Sequence, residues 1–240
     1  MQKKGMDFIQ TTGGAMRFES YASGSSGNLY GLYDDQTSIL IECGLPYAEM
    51  QRLLPKAPTS YDACFVSHRH GDHCNAKTWA EIENRGGLVL TGDQLAAITV
   101  GRFREFMRVK TIDVKAFPVQ HDVTNYGFMF RGADGETCVF LIDTFYCPVV
   151  PNFSPTIIAI ESNYAKDLMQ PGDSLNDRLF ASHMSLHQCI ATLKAWDLSK
   201  TREIHLLHMS DSRSDEARFI RDVEAATGIP TIAAPKRRKI

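Results

Sequence analysis

Ser67-His68-Arg69-His70-Gly71-Asp72-His73 places three histidines and an aspartate within six residues. The fixed periods of a helix or a strand send these four side chains to different faces. On a tight loop they converge, and Gly71 is expected to supply the backbone freedom such a loop needs. The loop follows an apolar run over 61–67 that reads as a strand. Neutral imidazole nitrogens and a carboxylate oxygen form a mixed set suited to zinc, manganese or iron rather than calcium. Four donors on one loop complete neither of two metal ions, so further ligands are expected elsewhere.

Outward from the loop, three ligand-type residues stand just after apolar strands. His121 follows Phe117-Pro118-Val119, Asp143 closes Val139-Phe140-Leu141-Ile142, and His208 follows Ile204-His205-Leu206-Leu207. Together with the loop they give six donors and one carboxylate free to bridge. That is the count for two metals about 3.5–4 Å apart, the spacing at which a bridging water ionises near neutral pH.

The remaining pattern organises the chain. Strands are expected at Arg17–Ala22, Leu29–Tyr33 and Ser38–Ile41, after a loose polar leader over 1–15, with a glycine-serine turn at 23–28. Helices are expected over 46–54, 76–85 and 93–99 around a strand at 87–91. Strands follow at 109–119, 126–130, 138–142 and 156–160, then helices around 162–170 and 184–196, a strand at Glu203–Leu207 and a helix over 214–226. Blocks of strands alternating with helices predict an α/β (α+β) fold of two sheets faced by helices, a four-layer αββα sandwich. No internal repeat interrupts it, and one domain over 16–240 is expected.

Bulk properties exclude some classes. No apolar stretch approaches the roughly 20 residues that span a bilayer, and the N-terminal residues lack the apolar core of a signal peptide. Six scattered cysteines without a Cys-x-x-Cys pair form neither a disulfide framework nor a zinc knot. A cytoplasmic protein without membrane contact is expected. The net charge of −2 supplies no global attraction for polyanions. Two basic stretches, Arg102 to Lys110 and the C-terminal Lys236 to Lys239, read as a solvated helix face and a solubilising tail, or as local contacts for a polyanion.

The His-x-His-x-Asp-His run followed by His121, Asp143 and His208 resembles the signature of the metallo-β-lactamase-fold hydrolase superfamily. That resemblance implies two divalent metal ions, zinc first and manganese second. His68, His70 and His121 would hold one metal, Asp72, His73 and His208 the other, and Asp143 would bridge. Glu42 stands where the superfamily usually has an aspartate supporting the histidine loop, so the carboxylate is kept one methylene longer. Ala22-Ser23-Gly24-Ser25-Ser26-Gly27-Asn28, Glu161-Ser162-Asn163, Arg178-Leu179-Phe180 with His183-Met184-Ser185, and Leu207-His208-Met209-Ser210 resemble segments of the nuclease-related YycJ/WalJ-type branch.

What these residues imply is an enzyme acting on a phosphodiester. Asp72, Asp143 and His183 are the expected catalytic residues. A hydroxide bridging the metals would be the nucleophile, and His183 would protonate the leaving oxygen. Ser25, Ser26 and Asn28 would hold phosphate through hydroxyls and backbone N–H groups. Asn163 would position substrate or cap a helix. The expected substrate is DNA or RNA, cut exonucleolytically. Alternatives are a cyclic-nucleotide phosphodiesterase, a lactone or thioester hydrolase, and a non-catalytic metal-binding protein. Oligomeric state is not legible.

Overall fold

The computed structural model describes residues 15–101, 106–169 and 176–237. All of the expected leader but Ala15 therefore lies outside the described residues, as do Arg102, Arg104 and the end of the C-terminal basic tail. So does the Arg178 side chain.

The first sheet is built from β1 (Arg17–Ala22), β2 (Leu29–Tyr33), β3 (Ser38–Ile41), β4 (Ala63–Val66) and β5 (Val89–Thr91), hydrogen-bonded in that order. β1, β2 and β3 run antiparallel, and β3, β4 and β5 run parallel. Helices α1 (Tyr47–Leu53), α2 (Ala76–Asn84) and α3 (Gly92–Gly101) connect or follow these strands. The second sheet contains β6 (Met107–Val109), β7 (Ile112–Val119), β8 (Asn125–Arg131), β9 (Thr137–Leu141), β10 (Ile157–Glu161), β11 (Glu203–Leu207) and β12 (Thr231–Ala233). β6 to β9 form an antiparallel meander, and β9 to β12 are parallel. Helices α4 (Asn176–Ser182), α5 (Leu186–Ala195) and α6 (Glu216–Thr227) complete the chain.

Strand periodicity explains the layers. Ile39 and Ile41 of β3 point into the space between the sheets, with Phe65, Phe128, Phe140 and Ile157, while Leu40 between them points outward to Met50 of α1 and Ile82 of α2. In β10, Ile157 and Ala159 face inward, and Ile158 and Ile160 pack with Leu186, Leu193 and Phe219 of α5 and α6. Both faces of each sheet are thus buried, which is why these strands read as continuous apolar runs. Each fully buried isoleucine contributes about 1.5–3 kcal/mol. The αββα sandwich stands as expected.

Parallel or twice-reversed pairing brings the carboxyl ends of β3 and β4 to one edge of the first sheet and those of β7, β9, β10 and β11 to one edge of the second, and donors from the two edges meet in one cluster. In such sheets, that edge is where chemistry gathers.

Several elements differ from expectation. The strand expected over 109–119 is a hairpin, β6 and β7, turning at Lys110 with φ +47°. The expected helix around 162–170 is largely extended. Its backbone groups pair across the chain, with Ser162 N–H donating to Leu207 O, Asn163 N–H to Met184 O and Ala165 N–H to Arg213 O, and only Lys166–Leu168 forms a 3₁₀ turn. The helix expected over 184–196 begins two residues later, where Ser185 and Gln188 form a capping box. α4 and the three-residue β12 were not expected.

Candidate metal centre

Glu42, just past β3, receives the histidine loop as it leaves β4. The Ser67 N–H donates to Glu42 Oε1 and Oε2 at 3.3 and 3.4 Å. The loop then folds on itself, with the His73 and Cys74 N–H groups donating to the His70 carbonyl at 3.0 and 2.7 Å. Gly71 is not the residue that makes this possible: its φ lies outside the left-handed region and nothing crowds a Cβ there. The glycine the loop requires is Gly44, where a Cβ would stand 1.7 Å from the Asp72 carbonyl oxygen.

Asn28 locks the loop from beneath. Its N–H and its Nδ2 both donate to the Asp72 carbonyl, at 2.8 and 3.1 Å, and Nδ2 lies 3.1 Å from His73 Nε2. Its Oδ1 accepts from the Gly24 N–H and the Tyr30 hydroxyl, both at 2.9 Å. Asn28 is fully buried. It is placed to position ligands, not to touch a substrate as the sequence suggested.

The second sheet supplies the other donors. His121, past β7, holds its Nδ1 2.9 Å from the Ser182 carbonyl, which leaves Nε2 for a ligand. Asp143 and His208 both have left-handed backbones, with φ +48° and +52°. Such a conformation costs a non-glycine residue on the order of 1–3 kcal/mol and persists only where its surroundings impose it. Asn125 Nδ2 donates to the Asp143 carbonyl at 2.6 Å. Around His208, its N–H donates to Ser23 Oγ at 2.8 Å, and Asn163 Nδ2 donates to its carbonyl at 2.6 Å. Asn163, expected at the substrate or as a helix cap, is therefore buried against His208.

Two groups of donors converge, each with its four ligand atoms within 4.8 Å of one another. In the first, His68 Nε2 lies 3.0 Å and His121 Nε2 3.3 Å from His70 Nδ1, while Asp143 Oδ2 stands 3.6 Å from His68 Nε2. In the second, Asp72 Oδ2 is 3.5 Å from both His73 Nε2 and His208 Nε2, and Asp143 Oδ2 is 3.2 Å from His73 Nε2. Asp143 belongs to both groups. All seven expected donors are thus brought together.

A third group was not expected as such. Glu161, the last residue of β10, joins Asp143, His183 and His208. It is wholly buried and accepts from the Thr144 and Met184 N–H groups at 3.0 and 3.2 Å, with Oε1 2.7 Å from His183 Nδ1. The sequence marks it only as part of the Glu161-Ser162-Asn163 segment and gives it no role, although a carboxylate ending an apolar strand is the same signal that picked out Asp143. Asp122 was also missed; its Oδ1 lies 3.0 Å from His121 Nε2.

Electrostatics divide the histidines. Burial, reinforced by His73, pushes His68 down to about 2, and burial also lowers His121, so both present neutral nitrogen lone pairs. For His208, burial is outweighed by Asp143 and Asp72, which raise it to about 10. Burial of His73 is likewise outweighed, by Asp143 and Glu42. Asp143 itself is held far below the carboxylate range by His208 and His73, against its burial. A divalent cation can replace the protons on this cluster. Asp143 Oδ1 and His208 Nε2 are buried without a hydrogen-bond partner, a deficit of about 1–3 kcal/mol per group that coordination would relieve. The nitrogen and oxygen set, without a cysteine, fits zinc, manganese or iron.

A cavity of about 430 Å³ opens over the cluster, lined by Ser25, Asp72, Asp143, His183 and Arg213 among others. Ser25 reaches it; Ser26 lines only the adjoining cavity.

Comparison with known proteins agrees with this geometry. The chain superposes on the metallo-β-lactamase fold protein YhfI from Bacillus subtilis with a TM-score of 0.69, covering 93% of this chain and 98% of that one at 16% identity. The chain has the metallo-β-lactamase fold. In sequence it is 26% identical over 224 residues to the exodeoxyribonuclease WalJ of Streptococcus pneumoniae, spanning 81% of each. It is 24% identical to the exodeoxyribonuclease YycJ of Bacillus anthracis over 81% of this chain and 83% of that protein. No protein-family model matches it.

Proposed function

We propose that this chain is a metal-dependent phosphodiester hydrolase that degrades DNA from an end. The observation that carries the reading is the 430 Å³ cavity in which two convergent donor groups sharing Asp143 meet His183 and Arg213. The fold, the buried ligand set and the exodeoxyribonuclease relatives support a metal-dependent hydrolase. The same relatives support DNA as the substrate and attack from an end.

His68, His70 and His121 would hold one divalent ion, Asp72, His73 and His208 the other, and Asp143 both. When bound, zinc or manganese supplies a water activated near neutral pH and positive charge for the developing phosphoryl oxyanion. The protein's own contribution is clearest at His183. Burial opposes its protonation, but Glu161 outweighs burial and raises it. With Nδ1 held by Glu161, its Nε2 is the ring atom left for the cavity that it lines. A protonated His183 so held donates to the leaving 3′ or 5′ oxygen, and Glu161 retains the imidazole's orientation. Asn28 and Asn163 keep His73 and His208 in place.

Among the described residues no helix is long and apolar enough to cross a membrane. Six unpaired cysteines suit the reducing cytoplasm in which we place the protein.

Purified protein with zinc or manganese should shorten end-labelled linear DNA, and Asp143→Ala should not. Undiminished cleavage by that variant would overturn the assignment. A cyclic-nucleotide phosphodiesterase is the second reading, favoured by a cavity within the roughly 300–1,000 Å³ range of small-ligand sites. Salt separates the two, because polymer binding falls steeply with ionic strength.

A further inference from the structure

Next to the metal cavity lies a second one, of about 310 Å³. The two share Ser25, Leu179, His183, His208 and Arg213 as walls, so an occupant of one adjoins the other. The second cavity adds Ser26 from the glycine-serine turn, Ser210 and Ser212 from the segment after β11, and Lys236 from the C-terminal segment. Its chemistry differs from that of the metal edge. Beyond the shared His183 and His208 its described lining is mainly hydroxyl and cationic, with Asp211 as the one carboxylate.

The turn is closed by the Gly27 N–H donating to Gly24 O at 3.0 Å, and neither the Ser25 nor the Ser26 N–H is taken by another described residue. Successive N–H groups on such a turn form a concavity suited to an anion. Lys236 Nζ donates to Ser210 O at 2.8 Å and Ser214 Oγ at 3.3 Å, which fixes the ammonium in place. A lysine carries three donors, and its third has no acceptor within hydrogen-bond distance among the described residues. The nearest carboxylate, Asp211, is 3.8 Å away and almost fully exposed. Arg237 is committed differently: its guanidinium donates to both Glu49 carboxylate oxygens, at 2.9 and 2.6 Å, and to Ser26 O. That contact anchors the turn.

We infer that this second cavity is a phosphate subsite, which takes the phosphate of the linkage next to the scissile one. It rests on the phosphodiesterase reading and deepens it. A substrate with two consecutive phosphates fits the paired cavities, and a cyclic mononucleotide fills only one. Ser25 and Arg213, which line both, stand between the two phosphates, and Lys236 supplies the distal charge.

The test is a binding experiment with chelator present, so that no cleavage is needed. A fluorescently labelled DNA single strand is titrated against the full chain. Each linkage near one end is replaced in turn by a neutral methylphosphonate. One charge-assisted contact is worth roughly tenfold in affinity. In the wild type, neutralising one linkage next to the terminal one should weaken binding about tenfold. In Lys236→Gln the natural strand should bind about tenfold more weakly, and the same neutral linkage should cost little more, because the two changes remove one contact. Lys236→Arg should restore the wild-type pattern, and Arg213→Gln should show the same coupling if Lys236→Gln fails to fold. Losses that add in full at every linkage, or a neutral linkage that costs nothing anywhere, would overturn the subsite. Cleavage without coupling overturns the subsite alone. Coupling without cleavage by the metal-loaded wild type supports the subsite and overturns the phosphodiesterase reading.

Discussion

The two edges of the sandwich spend their polar groups in opposite ways. At the far edge, where β7 begins and β8 ends, the Asp113 carboxylate accepts from Arg108 Nε and Nη2 at 2.7 and 2.8 Å and from Arg131 Nη2 at 3.1 Å. A larger cavity, about 590 Å³, opens there, lined by Phe106, Arg131, Phe153 and Lys200 among others. At the metal edge the cavity is smaller, but Asp143 stands buried among histidines with Oδ1 lacking a hydrogen-bond partner, and Glu42, Asp143 and His208 hold left-handed backbones. Buried polar atoms without hydrogen-bond partners, gathered around Asp143, mark the candidate site; volume does not, nor does a left-handed backbone alone, since Lys110 at the far edge has one too. At the far edge charges are paired with one another; at the metal edge they are arranged for something that is to be bound.

The largest effect should separate the edges outright. Asp143→Ala removes the one carboxylate common to both donor groups. Losing several kcal/mol of charge stabilisation corresponds to a fall in DNA cleavage of about 10³-fold or more, read as single-turnover rates. Arg131→Ala, at the far cavity, should leave the rate unchanged; an equal fall there would erase the contrast.

Next in size is His183→Ala, expected to slow DNA cleavage about 10²-fold. The loss should shrink when the leaving group is p-nitrophenolate, which needs no proton. A uniform loss across leaving groups would make His183 a structural residue. Asn28→Ala should lower metal affinity about 10–100-fold, as loss of a residue that orients a ligand does, and excess zinc or manganese should recover the rate. Failure of added metal to recover it would place Asn28 outside ligand positioning.

The smallest effect belongs to the far edge. The Arg108 guanidinium, helped by Arg131, holds the Asp113 carboxyl below its usual range. A depressed folded value contributes stability that is present above the unfolded value near pH 4 and lost as pH falls through the folded one. Asp113→Asn should therefore lower Tm slightly at neutral pH, with the difference closing in acid. A difference that widened in acid would reverse this sign.

Legibility followed the range of the interactions. The alternating apolar runs made most strands readable, and ligand-type residues at strand ends made the seven donors readable, because both signals are local. Lys110 escaped notice because a two-residue turn inside an apolar run disturbs the pattern too little. Asn28 looked like part of a phosphate loop, since nothing near it in sequence indicates His73, 45 residues on. Asn125 and Gly44 depend on which strands become neighbours: one holds the Asp143 carbonyl, the other makes room for that of Asp72. Glu161 was readable by the strand-end rule and was not used.

The most direct test of the central claim is metal content measured beside turnover, on protein stripped with chelator and reloaded. The proposed function predicts two zinc or manganese ions per chain, DNA cleavage that disappears on stripping and returns on reloading, and loss of both ions' tight binding in Asp143→Ala. One ion or none per chain with full activity, or cleavage that persists in chelator, would contradict it.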